Sequence, residues 1–277
     1  MSTVIGLGEE GCALANVFKN YPQYNVYNVL VGNKRPLGKT KYIKEQKSPE
    51  DYEPNCPSFK NFFKAAKGDV LFVLDASDIS SAASLRILSY IKNCNISILY
   101  LRTQTASLSE QASLNEAVVY GVLQEYARSA VFEKMIIIDI PTVASALSNL
   151  TVASYHERIR ETIVSTLHML EVYAHTKPVL SNFSSPNEAS RLLTVGIVDM
   201  ATGKENLFFP LDFAREKWYY YAINKDKLDK DSELLGKIEA QAAVTTHDNL
   251  KTSYGIYSTE YEQDYVFTIA RSSAIQK

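Results

Sequence analysis

The sequence predicts an α/β protein: a parallel, doubly wound sheet domain in the first half, then a long helix and a smaller α+β portion. Three observations predict it. The chain opens on a β-branched run and a three-glycine turn, Thr3-Val4-Ile5-Gly6-Leu7-Gly8-Glu9-Glu10-Gly11-Cys12. Continuous apolar runs follow at Val70–Leu74, Ile96–Leu101 and Met135–Ile138, the pattern of central strands covered on both faces. Helix-length segments separate these runs, and such alternation favours parallel pairing through crossover helices.

In chain order, Val4–Leu7 is the first strand, Cys12–Lys19 the helix after it, and Asn25–Val31 the second strand. A polar stretch with Pro and Lys runs from Gly32 to Pro57, and Phe59–Ala66 has the spacing of a short amphipathic helix. Beyond the Val70–Leu74 strand, Ala82–Lys92 reads as a helix and Ile96–Leu101 as a strand. Ser109–Ala130 is a long helix with Ser109 placed as its N-cap, and Met135–Asp139 is a further strand. Ser154–Ala174 is one long helix, with Ile159, Ile163, Leu167 and Leu170 at helical spacing. After Pro178 the texture changes. Thr194–Met200 is a strand, Ala201–Lys204 a turn and Lys227–Ala242 mostly helix. Tyr254–Tyr257 and Tyr265–Ala270 read as strands joined by the acidic connection Glu260–Asp264, an antiparallel end. The expected division is therefore 1–150, 151–178 for the central helix, and 179–277.

Composition removes several function classes. A net charge of −2 and a pI of about 6.1 give no global attraction to nucleic acid or anionic membrane. Apolar runs fall short of the roughly 18 residues that cross a bilayer, and the N-terminus lacks a basic-then-apolar leader, so a cytoplasmic location is expected. Cys12, Cys56 and Cys94 lie far apart and read as reduced thiols. The histidines at 156, 168, 175 and 247 are scattered as well, so no metal site is expected.

The glycine turn carries the first functional hint. Gly6 suits a tight turn, Gly8 lets a ligand approach the backbone, and Gly11 lets the helix lie close to the strand. The helix start then offers free N–H groups to a phosphate. The turn equally suits a strand–helix junction with no ligand. A dinucleotide enzyme, oxidoreductase or transferase, is the alternative class. Its site wants an acid at the end of the second strand, where this chain has Val31-Gly32-Asn33. No Gly-x-x-x-x-Gly-Lys-Ser/Thr loop and no Gly-x-Ser-x-Gly elbow occur.

Several segments, taken in order, resemble the FtsZ/tubulin family. Thr3–Asn16 is similar to the family's first phosphate loop. Lys67-Gly68-Asp69-Val70-Leu71-Phe72-Val73 resembles the strand entering its glycine signature, and Ala82-Ala83-Ser84-Leu85 the helix start beyond it. Ile138-Asp139-Ile140-Pro141-Thr142 stands where a strand reaches the ribose, and Tyr254–Ala270 resembles the closing strand pair. The resemblance implies a GTP or GDP site, with Mg as a possible companion, and self-association or membership of a larger protein assembly. It places Gly6, Gly8, Gly11, Ser77, Ser80 and Ser81 at the phosphates and Glu110 at the ribose, where an acid at a helix start equally serves the dipole. Tyr155, at the start of the central helix, is either a residue that stacks on a base or a core aromatic. In this family hydrolysis is completed by an acidic loop from a neighbouring subunit.

The departures bear on function. The stretch matching the glycine signature is Asp75-Ala76-Ser77-Asp78-Ile79-Ser80-Ser81, without glycine and with two carboxylates facing the place of the phosphates. The loop matching the catalytic element, Ser181–Glu188, keeps Asn182 but has Glu188 as its single acid. Glu188 is either the residue that polarises water or an acid at a helix start near Asn187. The expectation is a divergent assembly or structural protein with weak or lost GTP binding and hydrolysis. The short chain without a long tail and its Tyr/Asn/Ser-rich texture would suit a viral relative, acting in host cytoplasm or virion. Two surface features remain. Lys34, Arg35, Lys39, Lys41, Lys44 and Lys47 form a basic stretch, read first as solvated, with nucleic-acid or acidic-partner contact as the alternative. Trp218-Tyr219-Tyr220-Tyr221, after Phe208, Phe209 and Phe213, is core in part and an interface wherever exposed.

Overall fold

The structure is a computed structural model and describes residues 2–103, 108–244 and 250–277. The chain divides into two compact units, Met1–Pro141 and Thr142–Lys277.

The first unit is built on six parallel strands: β1 (Ser2–Leu7), β2 (Tyr24–Val31), β3 (Thr40–Ile43), β4 (Asp69–Asp75), β5 (Asn95–Arg102) and β6 (Lys134–Asp139). Their order is β3-β2-β1-β4-β5-β6, so the chain winds outward from β1 in both directions. The apolar runs are the buried strands, as their composition requires. Phe72, Ile98, Leu99 and Ile137 have no exposure at all.

Three helices or turns of this unit differ from expectation. Helix α1 spans Gly8–Val17 and so begins four residues before Cys12, placing Glu9 and Glu10 in its first turn, where a carboxylate faces the positive end of the dipole. The expected helix Ala82–Lys92 is a 3-10 turn, a short α2 (Ser84–Leu88) and another 3-10 turn. The Ser81 and Ser89 hydroxyls bond the Ala76 and Arg86 carbonyls, at 3.4 and 2.6 Å, side-chain bonds that compete with a regular helical ladder. Phe59–Ala66 is a set of turns rather than a helix. Its single i→i−4 bond runs from Phe63 N–H to the Phe59 carbonyl at 3.0 Å. Ring packing holds it instead: Phe59 stacks on Phe63 at 5.3 Å, and Phe63 meets Tyr27 edge-on at 5.6 Å. The long helix α3 (Glu110–Arg128) is as expected, with the Ser109 hydroxyl accepting from Ala112 N–H at 3.2 Å.

The second unit contains α5 (Tyr155–Ala174), which follows α4 (Ile140–Ala146) and buries Ile159, Ile163 and Leu170. Its strands are β7 (Leu180–Ser181), β8 (Leu192–Val198), β9 (Glu205–Leu207), β10 (Ala214–Asn224), β11 (Lys251–Thr259) and β12 (Tyr265–Ser272). The order is β8-β12-β10-β11-β7, with β9 on β8. β11 and β12 do not pair with each other, contrary to the expected antiparallel end. β10 lies between them, antiparallel to β12 and parallel to β11. A parallel pair needs a crossover, and α6 (Lys225–Lys230) with α7 (Leu234–Val244) provides it. These are the two pieces of the expected Lys227–Ala242 helix, divided where Asp231 takes an extended conformation.

The aromatic run sits in β10. Tyr219, Tyr220 and Tyr221 are buried, as are Phe208 and Phe209, so this part of the group is core and the interface reading narrows to whatever is exposed. Trp218 is half-buried under Phe183 and Arg271, at 5.3 and 4.9 Å. Phe213 alone of the group is exposed, at 74%.

Candidate functional site

The site is the junction of β1 and α1 with the loop that leaves β4. Two glycines of the turn are fixed by close packing. A Cβ on Gly6 would lie 2.6 Å from the Cys12 Cα, and one on Gly11 would lie 2.7 Å from the Val73 carbonyl oxygen. α1 therefore rests directly on the backbones of β1 and β4. Cys12, inside this contact, donates its S–H to the Gly6 carbonyl at 3.2 Å and the Val29 carbonyl at 3.4 Å. Burial pushes its thiol up to about 12.

Gly8 is different. It adopts φ +75°, a left-handed conformation, and its missing Cβ leaves room for something else. The Asp78 Oδ2 lies 2.5 Å from the place a Cβ would take. The other oxygen of that carboxylate, Oδ1, accepts from the Ser80 N–H at 2.9 Å. Asp75 repeats the device, its Oδ1 accepting from the Ser77 N–H at 2.8 Å. Two main-chain donors of this loop are thus already bonded to its own carboxylates. Burial pushes the Asp75 carboxyl upward, opposed by its bonds to Ser77 and reinforced by the charges of Asp78 and Glu10.

The serines divide. Ser77 is half-buried and its hydroxyl accepts from the Thr103 hydroxyl at 3.1 Å. Ser80 and Ser81 are 0% and 1% exposed, so their hydroxyls face inward. The Ser81 Oγ accepts from Asn115 Nδ2 at 2.8 Å and donates to the Ala76 carbonyl at 3.4 Å. Asn115 is the residue that sequence reasoning missed. From the buried face of α3 its amide also donates to the Ala76 and Asp78 carbonyls at 2.9 and 3.4 Å. The available signal was an amide between the inward positions Ala112 and Val119 of an amphipathic helix. Glu110 is the first residue of α3 and exposed.

Gly6, Gly8, Gly11, Ser77, Ser80 and Ser81 are therefore brought together in the first unit. Tyr155 and Glu188 belong to the second. Tyr155 opens α5 half-buried, with its ring edge-on to His156 at 5.2 Å. Glu188 is exposed, and no helix begins at Asn187, which removes the helix-start reading of this acid. Its loop is firmly anchored. Asn182 exchanges bonds with the Tyr254 backbone, at 2.6 and 3.1 Å. Phe183 packs on Tyr220 at 5.0 Å, and the buried Glu216 carboxylate accepts from the Asn187 N–H, both oxygens at 3.1 Å. Among the described residues no cluster of three or more His, Cys, Asp or Glu side chains could hold a metal ion. None of the described helices is long and apolar enough to cross a membrane.

A glycine turn between a first parallel strand and its helix, in a unit followed by a mixed-sheet unit, defines a nucleotide-type α/β class. Comparison with solved structures makes the fold more specific: it is FtsZ/tubulin-like. The GTPγS-form protofilament of TubZ from Bacillus thuringiensis serovar israelensis matches at TM-score 0.73 and 15% identity, covering 98% of this chain and 86% of that one. The GTPγS-bound protofilament of CetZ2 from Haloferax volcanii matches at 0.68 and 11%, covering 98% and 92%. The empty FtsZ dimer from M. jannaschii matches at 0.65 and 11%, covering 98% and 88%. No protein-family model matches the sequence, and no curated protein does.

Proposed function

We propose that the protein is an FtsZ/tubulin-like assembly protein whose phosphate cradle is filled by its own acidic loop, so that GTP binding and hydrolysis are weak or lost. The observation that supports this is the Asp78 carboxylate, seated against Gly8 and bonded to the Ser80 N–H. A triphosphate approaching this turn would meet a fixed negative charge and a main-chain donor already in use. The Ser81 hydroxyl is already committed to the Ala76 carbonyl, and the Ser80 hydroxyl is buried away from the surface. On this reading the residues do not fit GTP or GDP, with or without Mg, and Glu110 and Tyr155 have no ribose or base to hold. Glu188 is then a solvated loop carboxylate and not a catalytic group.

Self-association is supported by the neighbours, of which TubZ and CetZ2 are protofilament structures. The dinucleotide enzyme is not favoured, since Val31-Gly32-Asn33 offers no acid for a ribose. The test is light scattering and phosphate release across a concentration series, with and without GTP and Mg. Concentration-dependent assembly that ignores GTP is the expected result. Phosphate release that rises with assembly, or tight GTP binding by the wild-type chain, overturns the reading.

A further inference from the structure

The first unit carries an apolar cavity of about 330 Å³ that neither the glycine turn nor the acidic loop uses. Its walls are Pro49, Ala82, Leu85, Leu114, Val118 and Val122, with Asn115 also lining it. Leu114 and Val118 are 64% and 56% exposed, large values for apolar residues on a helix that otherwise buries its inward face. Glu50 and Glu53 line the same opening, and among the described residues no lysine or arginine does. The feature is a hydrophobic hole with a negative rim.

Elsewhere on the same unit is its chemical complement. Leu37 is 81% exposed, at the tip of a turn between β2 and β3. The turn is well defined: Leu37 and Thr40 exchange both backbone hydrogen bonds at 3.0 Å, and Gly38 takes φ +58°. Pro36 precedes it and restricts its entry. Lys34, Arg35 and Lys39 flank this leucine in the sequence and are exposed. Lys39 is partly tethered, bonding the Asn25 side chain and lying 5.6 Å from the Tyr27 ring centre. The rest of the cationic collar is Lys34 and Arg35. None of residues 34–40 lines the cavity, so knob and hole are different sets of residues.

We propose that Leu37 and its basic collar dock into the acid-rimmed cavity of a second copy of this chain. An apolar knob in an apolar hole, ringed by opposite charges, supplies both affinity and register. Because the two patches differ, the contact is heterologous: each copy offers a knob to one neighbour and a hole to another, which propagates a chain or closes a ring. One leucine buries too little surface to hold a dimer alone, so the contact works as one of several in an assembly. It rests on the assembly reading above and adds to it a contact of stated chemistry.

Sedimentation velocity over a concentration series tests it, with circular dichroism as the check on folding. L37D, L114D, the pair K34E/R35E and the pair E50K/E53K are each expected to raise the half-assembly concentration by about tenfold or more. The chain carrying all four charge reversals restores the attraction and is expected within about threefold of wild type. An equimolar mixture of L37D and L114D, each with one intact partner surface, is expected to reach half-assembly at a lower total concentration than either variant alone. Variants that assemble at the wild-type concentration, or a fourfold reversal no better than its parents, overturn the docking contact and leave the assembly reading standing. A wild-type chain that stays monomeric throughout overturns both.

Discussion

Asn115 places one amide against three acceptors, the Ala76 and Asp78 carbonyls and the Ser81 hydroxyl, in a nearly waterless setting. Truncation to alanine strands those acceptors and opens a small void, so Asn115→Ala is expected to cost about 2–4 kcal/mol in urea denaturation. Asp75 makes the opposite kind of prediction. Its carboxyl is raised in the folded state, so the folded chain binds that proton more tightly than the unfolded one. The resulting stabilisation is fully present below the unfolded aspartate value of about 4 and is lost as pH rises through the folded value. Asp75→Asn keeps an acceptor for the Ser77 N–H, and is expected to flatten the fall in stability over that window and to leave neutral-pH stability unchanged or improved. A variant that is less stable at neutral pH and equally pH-dependent would refute this. At this scale the sequence was legible in residue type and not in direction. Two acids in the loop were evident, but whether they aimed at a ligand or at their own backbone depended on local φ and ψ. The Ser80 and Ser81 hydroxyls turned inward because Asp78 caps the 3-10 turn that follows it.

Among elements, the β1–α1 contact shows that close packing by itself requires two glycines of the motif. Gly11 is needed because the Val73 carbonyl would lie 2.7 Å from its Cβ, whereas Gly121, in the middle of α3, has nothing within 4 Å. Gly11→Ala is therefore expected to destabilise by about 1–3 kcal/mol through overpacking, and Gly121→Ala to stabilise by about 0.5–1 kcal/mol through helix propensity. Equal and small effects at both positions would mean that α1 stands off the sheet. A similar argument applies to the loop of the second unit. Glu216→Ala removes the acceptor for Asn187 N–H, and is expected to expose residues 183–190 to limited proteolysis several-fold faster, with the rest of the fold intact. The strands were readable because burial on both faces demands unbroken apolar runs. The β11–β12 pairing was misread for a related reason: the strand at β10 was not assigned, and sequence adjacency suggested a hairpin between two strands that β10 separates in the sheet.

At the scale of the molecule, charge and ligand requirements are linked. With 29 basic and 31 acidic residues, copies repel one another only weakly at neutral pH. A bound triphosphate would more than double that negative charge on each copy and would call for Mg to offset it. On the proposed reading a cradle filled by Asp78 makes neither demand, so EDTA is expected to leave both the half-assembly concentration and the melting temperature where they were. Thermal denaturation with GTP and Mg sharpens the test, because any ligand that binds only the folded chain must stabilise it. At a hundred times its dissociation constant a ligand contributes about 2.7 kcal/mol, which moves the melting point of a domain this size by several degrees. The expected shift for wild type is under about 1 °C. Asp78→Gly removes the internal carboxylate and frees the Ser80 N–H, so a GTP-dependent rise in that variant alone would identify the side chain as the occupant of the cradle. A rise of equal size in wild type would mean that phosphate displaces Asp78 readily, and that assembly and nucleotide are still coupled.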